Sequence, residues 1–342
     1  MTAFPMPPGA RLRGRVEAMV LDSDALRGNP LGDPSRREVF VYLPPSYDGS
    51  RRFPVVMLLG PYGSDNRVFV QGRMWEPTTF ERFDRLLAEG ACDEAILVAP
   101  DGCTRWGGSQ FLDAPAVGRY QTHLVDEVLP LVDARHRTIP RPEARAIVGR
   151  SSGGFGALRV ALDRPGVFGA VGSHAGDGLF EVSLRPLFTP AAVALDRAGG
   201  LGAFLARVEA GGPREPGEFE ALMMVASAAA YAPDRGSPFS EADLPFDRWG
   251  VPRPDVWAHV LEHDPVRRLE ADPGAMRGLS TVYLDAGAGD EHGLQFAARR
   301  VAELLRARGA MVRHEEFPGG HRGTAGRYAV SLPHLVGALC RV

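Results

Sequence analysis

Residues 147–156 read IVGRSSGGFG, and within them Gly149-Arg150-Ser151-Ser152-Gly153 fits the pattern G-x-S-x-G. The spacing has a mechanical meaning. A serine at the apex of a sharp strand-to-helix bend projects its hydroxyl from strained backbone, and glycines two residues to either side remove side chains that would collide across it. The bend also sets the serine at a helix start, where unpaired N–H groups and the positive dipole end favour a developing oxyanion. The pattern predicts nucleophilic acyl chemistry with Ser151 as nucleophile and the Ser152 N–H as one oxyanion donor. Ser152 is a rival nucleophile by proximity alone, since its flanks, Arg150 and Gly154, suit the bend less well. The bland alternative is a buried serine in a glycine-rich turn.

A serine hydroxyl becomes a good nucleophile only when a histidine takes its proton and a carboxylate fixes that histidine's tautomer. After a strand–turn–helix nucleophile, the acid and then the base are expected later in the chain. Of nine histidines, His321 lies in PGGHRG directly after the last predicted strand, where a loop can carry an imidazole over a sheet edge. His314 falls within a strand, His334 on the final helix, and His123, His136 and His174 come too early. For the acid, Asp290 in the loop Ala288-Gly289-Asp290-Glu291 is preferred, with Asp285 inside the strand and Glu291 at a helix start as alternatives. An aspartate at such a junction also fits a plain N-cap role. The loop Gly60-Pro61-Tyr62-Gly63 should supply the second oxyanion donor; proline has no N–H, so Tyr62 is chosen. A metal centre on Asp290, Glu291, His292 and His321 is the competing chemistry, but those ligands have no recognised metal spacing.

These residues need a scaffold, and the chain alternates in the required way. Gly14–Leu21 and Arg36–Leu43 alternate in polarity and read as antiparallel strands joined by the turn-rich GNPLGDP. Phe53–Leu59 and Glu94–Ala99 are short, continuous apolar runs, as expected for parallel strands covered on both faces. Further strands are read at Ala144–Val148, Val167–Ser173, Thr281–Asp285 and Val312–Phe317. Helices are read at Pro77–Glu89, Tyr120–Ala134, Gly154–Asp163 and Leu294–Arg308, giving right-handed βαβ units and a mostly parallel sheet with helices on both faces. Residues 177–279 break this rhythm. They are mainly helical and carry Phe180, Phe188, Phe246, Trp249 and Trp257, which suggests a helical cap insertion within one domain spanning 1–342. Those aromatics shape a pocket or form the insertion's own small core.

Composition sets the outer limits. The 342 residues are 44% hydrophobic and 24% charged, a globular balance. A net charge of −3 gives no reason to expect a nucleic-acid partner. All 39 basic residues are arginine, which fits a compositional bias alongside abundant Ala, Gly and Pro. Cys92, Cys103 and Cys340 have neither disulfide nor zinc spacing. MTAFPMPPGARLRGR lacks the apolar run of a secretory signal, and no stretch is long enough to span a bilayer, so the expectation is a cytoplasmic protein without a membrane partner.

Together these segments resemble the "putative esterase" family of α/β-hydrolases, which includes enterochelin esterase-like proteins, S-formylglutathione hydrolases, feruloyl esterases and mycolyltransferases. The resemblance rests on GNPLGDPSRREVFVYLPPSY, FPVVMLLGPYG, DGCTRWGGSQF, VGRSSGGFGAL, YLDAGAGDE and FPGGH, and runs from about Leu12 to the C-terminus. It implies an α/β-hydrolase fold, a Ser151–Asp290–His321 triad, no cofactor, and a small-molecule ester substrate. It leaves acyl transfer by the same triad and a non-catalytic binding protein as alternatives, and a homodimer is compatible with it. One departure is that Gly60-Pro61 stands where many relatives carry His-Gly or Ala-Gly. Arg105 and Trp106, in the loop after the Glu94–Ala99 run, are candidates to line the substrate pocket. Arg150 is a candidate to bind an anionic substrate group, or else to pair with a surface carboxylate.

Overall fold

A computed structural model describes residues 12–72, 76–231 and 239–339, so the Pro-rich first ten residues and Cys340 lie outside the described residues. Eight strands form one sheet: β1 Arg15–Asp22, β2 Arg36–Leu43, β3 Val55–Leu59, β4 Ile96–Pro100, β5 Arg145–Arg150, β6 Ala170–His174, β7 Thr281–Gly287 and β8 Val312–Phe317. Their order across the sheet is β1-β2-β4-β3-β5-β6-β7-β8. β2 pairs antiparallel with both β1 and β4, and the other pairs are parallel. The burial of each strand follows its place. β3 and β4 are buried at every residue, whereas the edge strand β1 alternates between exposed and half-buried positions.

The strand order places the site. From β3 the chain crosses to β4 on one side and returns to β5 on the other, so the loops after β3 and β5 leave the same sheet edge side by side. In open α/β sheets such a reversal opens a crevice at the carboxyl ends of the strands.

The helices start where local chemistry allows. Thr78 caps Thr79–Ala88: its hydroxyl accepts the Glu81 N–H at 3.1 Å while the Glu81 carboxylate accepts the Thr78 N–H at 2.6 Å, burying Phe80 and Phe83 beneath. The helix expected over Tyr120–Ala134 has a π-helical middle at His123–Val128. Pro130 stands two residues past its end; lacking an N–H, it cannot make the bond back to residue 126, and the widened turn absorbs the loss. The strand expected over Val167–Ser173 spans Ala170–His174, with Phe168 buried ahead of it. No helix among the described residues is long and apolar enough to cross a membrane.

Between β6 and β7 lie the helices Phe180–Ser183, Phe188–Ala198, Leu201–Gly211, Glu218–Tyr231, Pro254–Glu262 and Pro265–Ala271. Their aromatics do not form a separate core. Phe180, Phe188, Tyr231, Phe246 and Trp257 belong to one apolar cluster with Tyr62, Trp106 and Phe155, the last on the helix that follows β5. Trp249 is the exception, 71% exposed.

Candidate active site

Ser151 stands between β5 and the helix Ser152–Asp163 with φ 56° and ψ −123°, a strained conformation for a residue with a side chain. Two glycines make the bend possible. A Cβ on Gly149 would lie 2.3 Å from the Gly153 carbonyl carbon, and one on Gly153 would lie 2.2 Å from the Leu59 carbonyl oxygen. The Ser151 N–H donates to the His174 carbonyl at 2.8 Å, fixing the bend to β6.

His321 comes from the loop after β8 and Asp290 from the loop after β7. Ser151 Oγ is 3.0 Å from His321 Nε2, and His321 Nδ1 is 2.9 Å from Asp290 Oδ2. An ionised carboxylate can only accept, so the Nδ1 proton points at Asp290 and Nε2 is left to accept from the serine hydroxyl. Asp290 is 5% exposed. Burial pushes its carboxyl up, but the His321 hydrogen bond, the His321 charge and the His292 N–H outweigh this and hold it below the usual carboxylate range. Asp290 also serves the plain turn role foreseen for it, since its Oδ1 accepts the His292 N–H at 3.0 Å.

Glu291 and His292, named above only as an alternative acid and as metal ligands, take other places. Glu291 was expected to open a helix; instead the helix begins at Leu294, and Glu291 Oε2 accepts the His321 N–H at 2.8 Å. The rings of His292 and His321 meet edge to face at 5.0 Å.

Of the two expected oxyanion donors, Ser152 N–H opens its helix, where the first amides have no intrahelical acceptor. The Tyr62 N–H has no acceptor among the described residues. Its loop is stitched to the one after β4: the Tyr62 hydroxyl donates to the Trp106 carbonyl at 2.7 Å, and the Gly63 N–H donates to the Gly107 carbonyl at 2.8 Å. The Ser152 hydroxyl is buried and donates to Gln110 Oε1 at 2.6 Å, which removes it as a rival nucleophile.

Ser151 and His321 open onto a cleft of about 770 Å³ whose walls include Arg150, Asp177, Phe219 and Met223. Arg150 does not pair with a carboxylate among the described residues; its one hydrogen bond runs to Thr324 Oγ1 at 3.5 Å. Asp177, half-buried on the loop after β6, was not anticipated. Burial pushes its carboxyl up to about 6; the His321 charge opposes this and the Asp290 charge adds to it.

Arg105 and Trp106 correct the sequence reading, because neither lines this cleft. The Arg105 guanidinium lies 3.7 Å from Asp33 and 3.9 Å from Glu209, and the Trp106 indole N–H donates to Glu209 at 2.9 Å. Their polar ends are drawn to carboxylates of the N-terminal loop and the insertion, so they fasten the scaffold behind Tyr62. Among the described residues no group of three or more His, Cys, Asp or Glu side chains is arranged to hold a metal ion.

A family model described as "Putative esterase" matches residues 34–339. A curated relative, "Esterase Rv1288" of Mycobacterium tuberculosis (strain ATCC 25618 / H37Rv), is 32% identical over 142 residues, 40% of this chain and 28% of that protein. The chain thus matches less than a third of the length of that relative. A solved ferulic acid esterase superposes with a TM-score of 0.61 at 20% identity, covering 95% of this chain and 98% of the other. An S-formylglutathione hydrolase from Agrobacterium tumefaciens gives 0.59 at 15% identity, covering 96% and 97%. At these identities the superpositions establish an α/β-hydrolase fold.

Proposed function

The chain belongs to the putative esterase family, and we propose that it is a serine hydrolase cleaving a carboxylic ester through an acyl-enzyme. The observation that carries this reading is the unbroken line Ser151 Oγ–His321 Nε2, His321 Nδ1–Asp290 Oδ2, beginning at a serine held in strained backbone at the mouth of a cleft.

Ser151 Oγ attacks the ester carbonyl as its proton passes to His321 Nε2. The imidazolium that forms is stabilised by Asp290, which keeps its own charge. The carbonyl oxygen gains a negative charge in the tetrahedral intermediate, and the N–H groups of Tyr62 and Ser152 receive it. His321 then returns the proton to the leaving alkoxide. Water entering the cleft repeats the sequence on the acyl-enzyme and frees the acid. Arg150, without a carboxylate partner among the described residues, is available to an anionic group on the substrate, and Phe219 and Met223 of the insertion offer an apolar wall to the rest of it.

The test is labelling with a fluorophosphonate, which traps an activated serine. Wild type should take one label, on Ser151, and Ser151→Ala none. Ester hydrolysis persisting at the wild-type rate in Ser151→Ala would overturn the proposal.

A further inference from the structure

Residues 175–179, directly after β6, hold two residues with side chains in the left-handed region, Ala175 at φ 45° and Leu179 at φ 48°. Such backbone persists only where the surroundings over-determine it, and it collects at functional sites. Here the surroundings do so. The Ala175 N–H donates to the Asp285 carbonyl at 2.7 Å. The buried Asp264 carboxylate accepts the N–H groups of Leu179 and Phe180 at 3.1 and 2.9 Å. The Ser183 hydroxyl donates to the Gly178 carbonyl at 3.1 Å, and Gly176 has no space for a Cβ, which would lie 2.3 Å from Ser173 Oγ.

Within this clamped loop, the residue that lines the cleft is Asp177. Its carboxylate makes no hydrogen bond or ion pair with the described residues. It is not a spare partner for the imidazole, because both ring nitrogens of His321 are already engaged. Asp177 lines the same cleft as Ser151 and His321. The alcohol half of an ester must lie in that cleft beside His321, since His321 hands its proton to the leaving oxygen.

We propose that Asp177 is a specificity-determining residue that accepts a hydrogen bond from a hydroxyl or ammonium group on the alcohol portion of the substrate. The proposal rests on the hydrolase reading above and narrows it to esters of polar alcohols. A carboxylate held rigidly with no protein partner gains a charge-assisted hydrogen bond from such a donor. An analogue without the donor leaves the carboxylate unpaired and is disfavoured.

The experiment is calorimetric binding of intact benzoate esters to Ser151→Ala protein. The 2-hydroxyethyl ester is compared with propyl, and the protonated 2-(dimethylamino)ethyl ester with its isostere 3-methylbutyl. Each donor-bearing ester should bind about 10-fold more tightly than its apolar counterpart. Adding Asp177→Ala should reduce both preferences to about 2-fold. Adding Asp177→Asn, which keeps an acceptor and loses the charge, should reduce the ammonium preference more than the hydroxyl one, and this arm carries the test if the alanine variant does not fold. Preferences absent in Ser151→Ala, or unchanged by either substitution, overturn the assignment. A wild-type protein that fails to label at Ser151 would sink the hydrolase reading by a separate measurement, with the binding preference still standing or falling on its own.

Discussion

Among the described residues two Ser–His–Asp lines run through this molecule, and one of them faces a cleft. Beside Ser151–His321–Asp290 lies Ser331–His174–Asp285, with Ser331 Oγ 2.9 Å from His174 Nε2 and His174 Nδ1 2.7 Å from Asp285 Oδ1. By distance the two are equivalent. By setting they are opposites. Ser331, His174 and Asp285 are 0, 1 and 1% exposed. His174 and Asp285 are register partners on adjacent strands, and Ser331 sits inside the helix Tyr328–Gly337. Asp285 also accepts from the Tyr283 hydroxyl at 2.9 Å and from Arg327 Nε at 2.8 Å. The buried line has no strained serine, no free amides beside the hydroxyl and no route for a substrate. Hydrogen-bond geometry among three side chains therefore does not define an active site; backbone strain, unpaired donors and access do.

Deleting each serine in turn should separate the two lines most widely. Ser151→Ala should lower kcat/KM for an activated ester by about 10⁴-fold or more, measured as initial rates, whereas Ser331→Ala should keep its fluorophosphonate label. If Ser331→Ala abolished labelling while remaining folded, the assignment of the two lines would be reversed. Next come the acids. Asp290→Asn should cost about 10³–10⁴-fold in kcat through the wrong imidazole tautomer. Asp285→Asn should appear instead in denaturant unfolding, at about 3 kcal/mol, because it leaves buried partners unmatched.

Acid titration sharpens the same contrast. Burial pushes the Asp285 carboxyl up, but His174 and Arg327 prevail and hold it below its ordinary value of 3.8. A depressed carboxyl stabilises the fold above pH 3.8, and that contribution is lost as pH falls through the native value. The stability gap between wild type and Asp285→Asn should therefore narrow below pH 3.8, as followed by urea unfolding at stepped pH. A gap that stayed constant to pH 2 would contradict the charged buried network. The smallest effect belongs to Ser331→Ala, about 1 kcal/mol of stability for one lost buried hydrogen bond.

The sequence made some of this legible and hid the rest for physical reasons. Gly149, Ser151 and Gly153 are readable because the bend is a local steric problem that a five-residue spacing solves. Asp290 and His321 could be chosen because each follows the end of a strand, and the structure brings both to Ser151. The parallel strands β3 and β4 announced themselves as unbroken apolar runs. Arg105 and Trp106 could not be placed, since their orientation depends on Glu209, about a hundred residues away in the insertion. Asp177 left no trace because no motif encodes a clamped loop; its exposure to the cleft emerges only when Asp264 and Asp285 close around it. The buried line was equally invisible, as Ser331, His174 and Asp285 lie on three separated elements.

The apolar cluster that joins the insertion to the nucleophile helix limits what can be engineered. Phe155 packs against Phe180 and Tyr231, with ring centroids 6.0 and 5.7 Å apart. Grafting a foreign segment in place of residues 180–271 would strip the helix that carries the Ser151 bend of its packing neighbours, so altered selectivity is better sought by point changes along the cleft wall than by exchange of modules.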